Sequence, residues 1–176
     1  MDTLKKNILI SGLPGIGKTT LIKKIILEIK DKHPVGFYTE EIRLEDQRKG
    51  FQLIGLNGNR SIFAHLLIES THRVGKYGVD IKAFDEFLDS IDFQNNKDSP
   101  IVIDEIGKME CLSGKFVKMI WEILDSDNMV IATISHTDGG IKGKIKQRED
   151  VELFKMNLDN RESLLNEILE IVNTSN

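Results

Sequence analysis

The stretch Gly12-Leu13-Pro14-Gly15-Ile16-Gly17-Lys18-Thr19 constrains this chain more than any other. It spells G-x-x-x-x-G-K-T, directly after the apolar run Ile8-Leu9-Ile10 and directly before a helix-like segment, Thr20 to Lys30. A buried strand, a glycine-rich turn and a helix N-terminus in that order form the setting of a phosphate-binding loop. Glycines let the backbone adopt positive φ and wrap closely, so that successive N–H groups converge on phosphate oxygens. The helix adds its unpaired N–H groups and the positive end of its dipole. Lys18 supplies a point charge for the β- and γ-phosphates, and the Thr19 hydroxyl is a ligand for Mg²⁺. The loop therefore implies a bound nucleoside phosphate.

Around it, the pattern predicts one α/β domain spanning residues 1–176, with a mostly parallel central sheet flanked by helices and an antiparallel meander insertion. Asn7 to Ser11 reads as a central strand. The following helix carries Leu21, Ile22, Ile25, Ile26 and Ile29 as an apolar stripe and ends at His33-Pro34. Val35 to Arg43 and Gly50 to Leu56 read as an antiparallel pair across a polar turn, and Asn57-Gly58 is a hairpin signal leading to a third strand near Ser61 to His65. Ser70 to Val79 reads as a loop. Asp80 caps a helix whose Phe84, Phe87, Leu88 and Ile91 share one face. Ile101-Val102-Ile103 and Met129 to Ile134 are short apolar runs suited to strands buried on both faces. A helix from Lys115 to Leu124 separates them. Val151 to Met156 is the last strand, and Asp159 or Asn160 caps a C-terminal helix with the stripe Leu164, Leu165, Ile168, Leu169 and Val172.

The second half of the expected site is Asp104-Glu105, at the carboxyl end of the Ile101 to Ile103 strand. Open α/β sheets bind ligands outside the carboxyl ends of their strands. Asp104 is the expected metal partner of Thr19, and Glu105 the carboxylate that polarises the attacking water. The glycine-rich, basic stretch from Gly139 to Arg148 reads as a lid over the phosphates, with Arg148 as candidate arginine finger and Lys108 as a second cation. Glu40 and Glu41 end the second strand, either at the same crevice or at the surface. His33, His65, His72 and His136 show no ligand spacing, which argues against zinc.

Composition narrows the partners. A net charge of −4 argues against nucleic acid or an anionic membrane as the main partner, although a local basic patch can override an average. Cys111, the one cysteine, excludes an intrachain disulfide and fits a reducing compartment as a small core filler. No signal-peptide core follows Met1 and no apolar run is long enough to span a bilayer, so a cytoplasmic protein with no membrane partner is expected; the oligomeric state stays open, with a monomer favoured.

Three reaction classes share the phosphate loop, namely hydrolases, small-molecule kinases and guanine-nucleotide switches, beside one non-enzyme reading. Asp104-Glu105-Ile106-Gly107 matches the D-x-x-G of guanine-nucleotide switches, yet the nearest string to N-K-x-D, Asn96-Lys97-Asp98-Ser99, has its aspartate one position early and precedes Asp104. Guanine specificity is unsupported. A nucleotide kinase would want an arginine-rich lid, whereas Arg43, Arg48, Arg60, Arg73, Arg148 and Arg161 are scattered. An ATP-gated RNA-binding module, using the lysines of 142–146, is opposed by the acidic total and the lack of interleaved aromatics.

Gly12 to Thr20, Val35-Gly36-Phe37-Tyr38-Thr39-Glu40-Glu41-Ile42-Arg43, Gly75-Lys76-Tyr77-Gly78-Val79, Val102 to Glu110 and Arg148 to Phe154 together resemble one family. It is the small nucleoside-triphosphatases that include the cancer-related nucleoside-triphosphatase and its archaeal and thermophilic bacterial relatives. The resemblance runs nearly end to end. It implies a RecA-like or kinase-like P-loop fold that hydrolyses ATP, GTP, CTP, UTP and other nucleoside triphosphates to the diphosphate and phosphate with Mg²⁺. Its nucleotide-contacting segments map onto Gly12, Leu13, Pro14, Gly15, Ile16, Gly17, Lys18, Thr19 and Thr20. A second set is Ile101, Val102, Ile103, Asp104, Glu105, Ile106, Gly107 and Lys108. Lys76 stands where a second arginine is more usual.

Overall fold

A computed structural model describes residues 5–174. The chain forms β1 (Asn7–Gly12), α1 (Lys18–Glu28), β2 (Val35–Leu44), β3 (Gln47–Gly55), β4 (Arg60–His65), β5 (Arg73–Val74), β6 (Tyr77–Val79) and α2 (Ile81–Asp89). Then follow β7 (Ile101–Ile106), α3 (Gly114–Asp125), β8 (Val130–Ser135), α4 (Gly140–Lys146), β9 (Val151–Lys155) and α5 (Leu164–Thr174), with single 3₁₀ turns at Lys30–Lys32 and Glu110–Leu112.

All the strands lie in one sheet, in the order β5-β6-β4-β3-β2-β7-β8-β1-β9. From β2 to β9 every neighbouring pair is parallel. From β2 outward to β5 every pair is antiparallel. The expectation of a mostly parallel sheet is therefore corrected to a mixed one, split evenly between the two kinds of pairing. The cause is the meander, which extends beyond β4 because Arg73–Val74 and Tyr77–Val79 pair as a further hairpin where a loop was expected. The turn between β2 and β3 is also tighter than expected: only Glu45 and Asp46 bridge it, both at positive φ, as type I′ hairpins require.

The parallel strands are apolar on both faces because a helix layer covers each one. Leu9, Ile101, Ile103, Val130 and Ala132 face the cluster containing Phe84 and Phe87 of α2 and Phe116, Ile120 and Leu124 of α3. Ile8, Ile10, Val102 and Ile131 alternate with them onto the opposite face, against Leu21, Ile22 and Ile25 of α1 and Leu164, Ile168 and Val172 of α5. The aromatic residues gather on the first face, where Phe37 meets Phe84 and Phe87 edge-on. Asp80 caps α2 as its spacing predicts, accepting from the Ala83 N–H at 2.9 Å. Ser113 does the same for α3 from the Phe116 N–H at 3.0 Å. The C-terminal helix begins only at Leu164, because Asn160 is held in the preceding turn by its contacts with Asn157 and Lys155. Among the described residues no helix is long and apolar enough to cross a membrane.

Candidate active site

The loop of residues 12–19 runs from the end of β1 into α1. Gly15 and Gly17 sit at φ 77° and 107°, a region that costs side-chain-bearing residues dearly. Gly17 is also the N-cap of α1, and no side chain caps that end. The first N–H groups of the helix are thus left for a ligand. Lys18, only 8% exposed, lays its ammonium back over the loop, donating to the Gly12 and Leu13 carbonyls at 3.0 and 3.3 Å.

The acidic pair arrives from β7, with β8 standing between it and β1. The register of β7 with β8 shifts between Ile103 and Ile106, and the irregularity falls on Asp104 and Glu105. Asp104 is 1% exposed and caught between hydroxyls. Thr19 of α1 donates to its Oδ2 at 2.6 Å, Thr133 of the intervening β8 donates to Oδ1, and Thr39 of β2 donates to its backbone carbonyl. Burial raises the Asp104 pKa; the hydroxyls, and Lys18 nearby, pull it back down. Glu105 Oε2 stands 4.0 Å from the Lys18 ammonium. Burial again raises its pKa, and the Asp104 carboxylate adds to this against Lys18, Lys142 and His136.

A third carboxyl completes the group. Glu110, buried in the 3₁₀ turn after β7, is pushed up to about 8 by burial and by Glu105 and Asp104. Gly107 makes room for it: a Cβ there would lie 2.8 Å from Glu110 Oε2 and 3.1 Å from Glu105 Oε1. Glu110 therefore holds its proton far more readily than an exposed glutamate, and Glu105 is the carboxyl beside Lys18. In the sequence this glutamate enters only as the last residue of the Val102 to Glu110 string, with nothing that marks it as buried.

Two clefts meet at Pro14 and Gly15. One, of about 1140 Å³, lies between the loop, α4 and the turn after β9, and is flanked by Leu13 and Leu158, which are 62% and 70% exposed. The other, of about 700 Å³, contains Lys18, Thr19, Asp104, Glu105 and Glu110 and is walled by Thr39, Glu40, Glu41, Arg48 and Phe51 of the meander. Glu40 and Glu41 thus both line this cleft, from opposite faces of β2, Glu40 beside Lys23 of α1 and Glu41 beside Arg48 of β3.

A family model described as NTPase matches residues 7–169. The chain belongs to this family. The nucleoside-triphosphatase THEP1 of Thermotoga maritima is 46% identical over 166 residues, covering 94% of each chain. The human cancer-related nucleoside-triphosphatase is 34% identical, covering 98% of this chain and 99% of its own. Among solved structures, the THEP1 crystal structure from Aquifex aeolicus superposes with a TM-score of 0.82 at 34% identity over 94% of this chain and 98% of that one. The solution structure of the human protein gives a TM-score of 0.81 at 33% identity, over 97% and 98%.

In this NTPase-family chain the structure gathers Gly12 to Thr20, Asp104, Glu105, Gly107 and Lys108 about one crevice. It does not bring in all the expected residues. Ile101, Val102, Ile103 and Ile106 are buried side chains inside β7 that face the two apolar cores and not the crevice. Arg148 is also held away from the crevice. It makes two bonds to Asp150 at 2.8 and 2.7 Å, pairs with Asp125 at 2.8 Å and lies over Trp121. Asp150 in turn accepts from the side chain of Asn7, the first residue of β1. The phosphate loop leaves the last residue of that strand, roughly 17 Å away at ~3.3 Å per residue. Nor is 139–148 an open loop. Residues Gly140–Lys146 form α4, anchored by the buried Ile145, with Lys146 paired to Asp138 at 2.8 Å. Cys111 is half-buried against the first core, as a filler would be.

Proposed function

We propose that this chain hydrolyses nucleoside 5′-triphosphates to the diphosphate and phosphate in a Mg²⁺-dependent reaction, with broad tolerance of the base. The observation that carries this reading is the 2.6 Å hydrogen bond from Thr19 to Asp104, which joins the phosphate loop to the acidic strand end. The donor set suits Mg²⁺. Both atoms are hard oxygens, one a carboxylate buried without a full counter-charge, and Mg²⁺ is usually held by one or two carboxylates together with phosphates and water. Among the described residues no group of three or more acidic, histidine or cysteine side chains offers an all-protein cage, so the triphosphate must complete the shell. When bound, the ion neutralises charge on the β- and γ-phosphate oxygens.

The chain's own residues do the rest. The uncapped amides of α1 and the loop hold the phosphates, and Lys18 turns its ammonium from the loop carbonyls towards them. Glu105 takes the proton of the attacking water. Burial, aided by Asp104, raises its pKa and makes it a stronger base than an exposed glutamate, against the opposing pull of Lys18. As the water oxygen bonds to the γ-phosphorus, the bond to the β–γ bridging oxygen breaks and the diphosphate leaves. The nucleoside fits the larger cleft, where Leu13 and Leu158 offer apolar contact that any base can use. That, with the missing N-K-x-D string, supports tolerance of ATP, GTP, CTP and UTP. The test is phosphate release from each of the four triphosphates with Mg²⁺ and with EDTA. Comparable release from all four, lost in EDTA and in Lys18→Ala, is expected; Mg²⁺-independent release, or release surviving Lys18→Ala, would overturn the reading.

A further inference from the structure

Glu105 reaches the crevice with little to hold it. It sits where the register of β7 with β8 shifts, and its side chain is 33% exposed. Among the described residues no hydrogen bond fixes its carboxyl, and the Lys18 ammonium at 4.0 Å is an ion-pair partner too distant to donate one. A catalytic base works only when packed neighbours hold it within about 0.5 Å of its productive position.

Glu110 stands on a firmer base. The Cys111 N–H donates to the Gly107 carbonyl at 3.1 Å, the Leu112 N–H to the Met109 carbonyl at 3.1 Å and the Ser113 N–H to the Glu110 carbonyl at 3.0 Å. Ser113 is fully buried, caps α3 and donates to Asp85 of α2, so the 3₁₀ turn is tied to two helices of the first core. From this turn the Glu110 side chain, 6% exposed, folds back over Gly107. Its Oε2 and the Oε1 of Glu105 lie 2.8 and 3.1 Å from one point, the place a Cβ on Gly107 would take, and the Glu105 Cγ lies 3.4 Å from it. The backbone N–H groups of Gly107 and of Glu110 itself face the Glu110 carboxyl. No step of the hydrolysis uses this carboxyl, yet it lines the same cleft as Lys18, Thr19 and Glu105. An apolar side chain of similar size would fill the space without burying an acid.

We propose that Glu110 is a positioning residue for the hydrolysis: packed with Gly107 behind Glu105, its carboxyl holds the Glu105 carboxylate in place for the attacking water. The proposal rests on the assignment of Glu105 as the base. Glu110 takes no proton from the water. It supplies an acceptor for the backbone at Gly107 and a polar surface of fixed position behind the base. Without them Glu105 turns freely on its irregular stretch of strand, and fewer bound triphosphates meet a base in the reactive geometry.

The experiment measures single-turnover hydrolysis of MgATP, and its binding by calorimetry, in wild type, Glu110→Leu, Glu110→Gln, Glu105→Gln and the double variant Glu105→Gln/Glu110→Leu. Leucine keeps the bulk and removes the polar surface; glutamine keeps both. Glu110→Leu is expected to lower the rate about 10–100-fold with the dissociation constant within about three-fold, and Glu110→Gln to restore the rate to within about three-fold of wild type. In the Glu105→Gln background the leucine substitution should cost less than about two-fold, because there is no base left to position. A Glu110→Leu rate within two-fold of wild type would overturn the proposal. So would equal losses in Glu110→Leu and Glu110→Gln, a loss of MgATP binding as large as the loss of rate, or a full further loss in the double variant. Full turnover in Glu105→Gln alone would remove the base itself, so failure of that assignment shows separately.

Discussion

Replacing Glu110 with glutamine probes the most perturbed carboxyl of the crevice. An unfolded glutamate titrates at 4.5, whereas burial and the neighbouring Glu105 and Asp104 push Glu110 in the fold up to about 8. Below pH 4.5 both states carry the proton, and the group adds no pH dependence. Between 4.5 and about 8 the folded state keeps a proton that the unfolded chain has lost, so stability falls as pH rises through that window. Each unit is worth about 1.4 kcal/mol. The penalty is therefore about 3 kcal/mol at pH 7 and about 5 kcal/mol above pH 8, of which a yielding interior will return a part. Glutamine keeps the shape and an acceptor for the backbone N–H groups but cannot ionise. Asp104 and Glu105 titrate in the same direction and remain in both proteins, so the difference isolates Glu110. Urea unfolding of wild type and Glu110→Gln, without nucleotide or Mg²⁺, at several values between pH 5.5 and 8.5 measures it. The variant should gain on the wild type steadily with pH, by several kcal/mol across the range. Parallel stability curves would refute a buried, proton-holding Glu110.

Other outcomes follow from the same geometry. Gly107→Ala places a methyl 2.8 Å from Glu110 and 3.1 Å from Glu105; the displaced Glu105 should cost about ten-fold or more in kcat with a smaller change in KM, in steady-state assays. Arg148→Ala should leave kcat within about two-fold, because the residue lies at the far end of β1, yet lower stability by roughly 1–3 kcal/mol as half-buried Asp150 loses its partner. A large kcat loss in Arg148→Ala at unchanged stability would restore it to the mechanism.

The phosphate loop and its flanking elements were legible because their signals are local: glycines at fixed spacing, an apolar run before and an amphipathic helix after. The Asp80 cap and the Asn57-Gly58 turn were legible for the same reason. The width of the antiparallel region was not, since Arg73–Val74 and Tyr77–Val79 are too short to show alternation and pair only because β4 is there to template them. Helix α4 was hidden by its glycines; it stands on the tertiary anchor of Ile145, which no propensity records. Arg148 was misplaced by its neighbours in sequence. It follows a basic stretch that lines the loop, but it also stands in the turn that leads into β9 at Val151. The residue before a parallel strand lies at the edge opposite the ligand crevice. That rule places Arg148 away from the phosphate loop, where its pairing with Asp150 and Asp125 holds it. Glu110 required the fold itself, because its burial depends on Gly107 letting two carboxyls approach.

The central claim is that Glu105 takes the proton of the attacking water above a loop that binds the phosphates without it. Glu105→Gln, measured for MgATP binding by calorimetry and for a single turnover with excess enzyme, separates the two roles. The account predicts a dissociation constant within about three-fold of wild type and a single-turnover rate lower by about 10²–10⁴. Full single-turnover activity in Glu105→Gln, or loss of binding as large as the loss of rate, would contradict it.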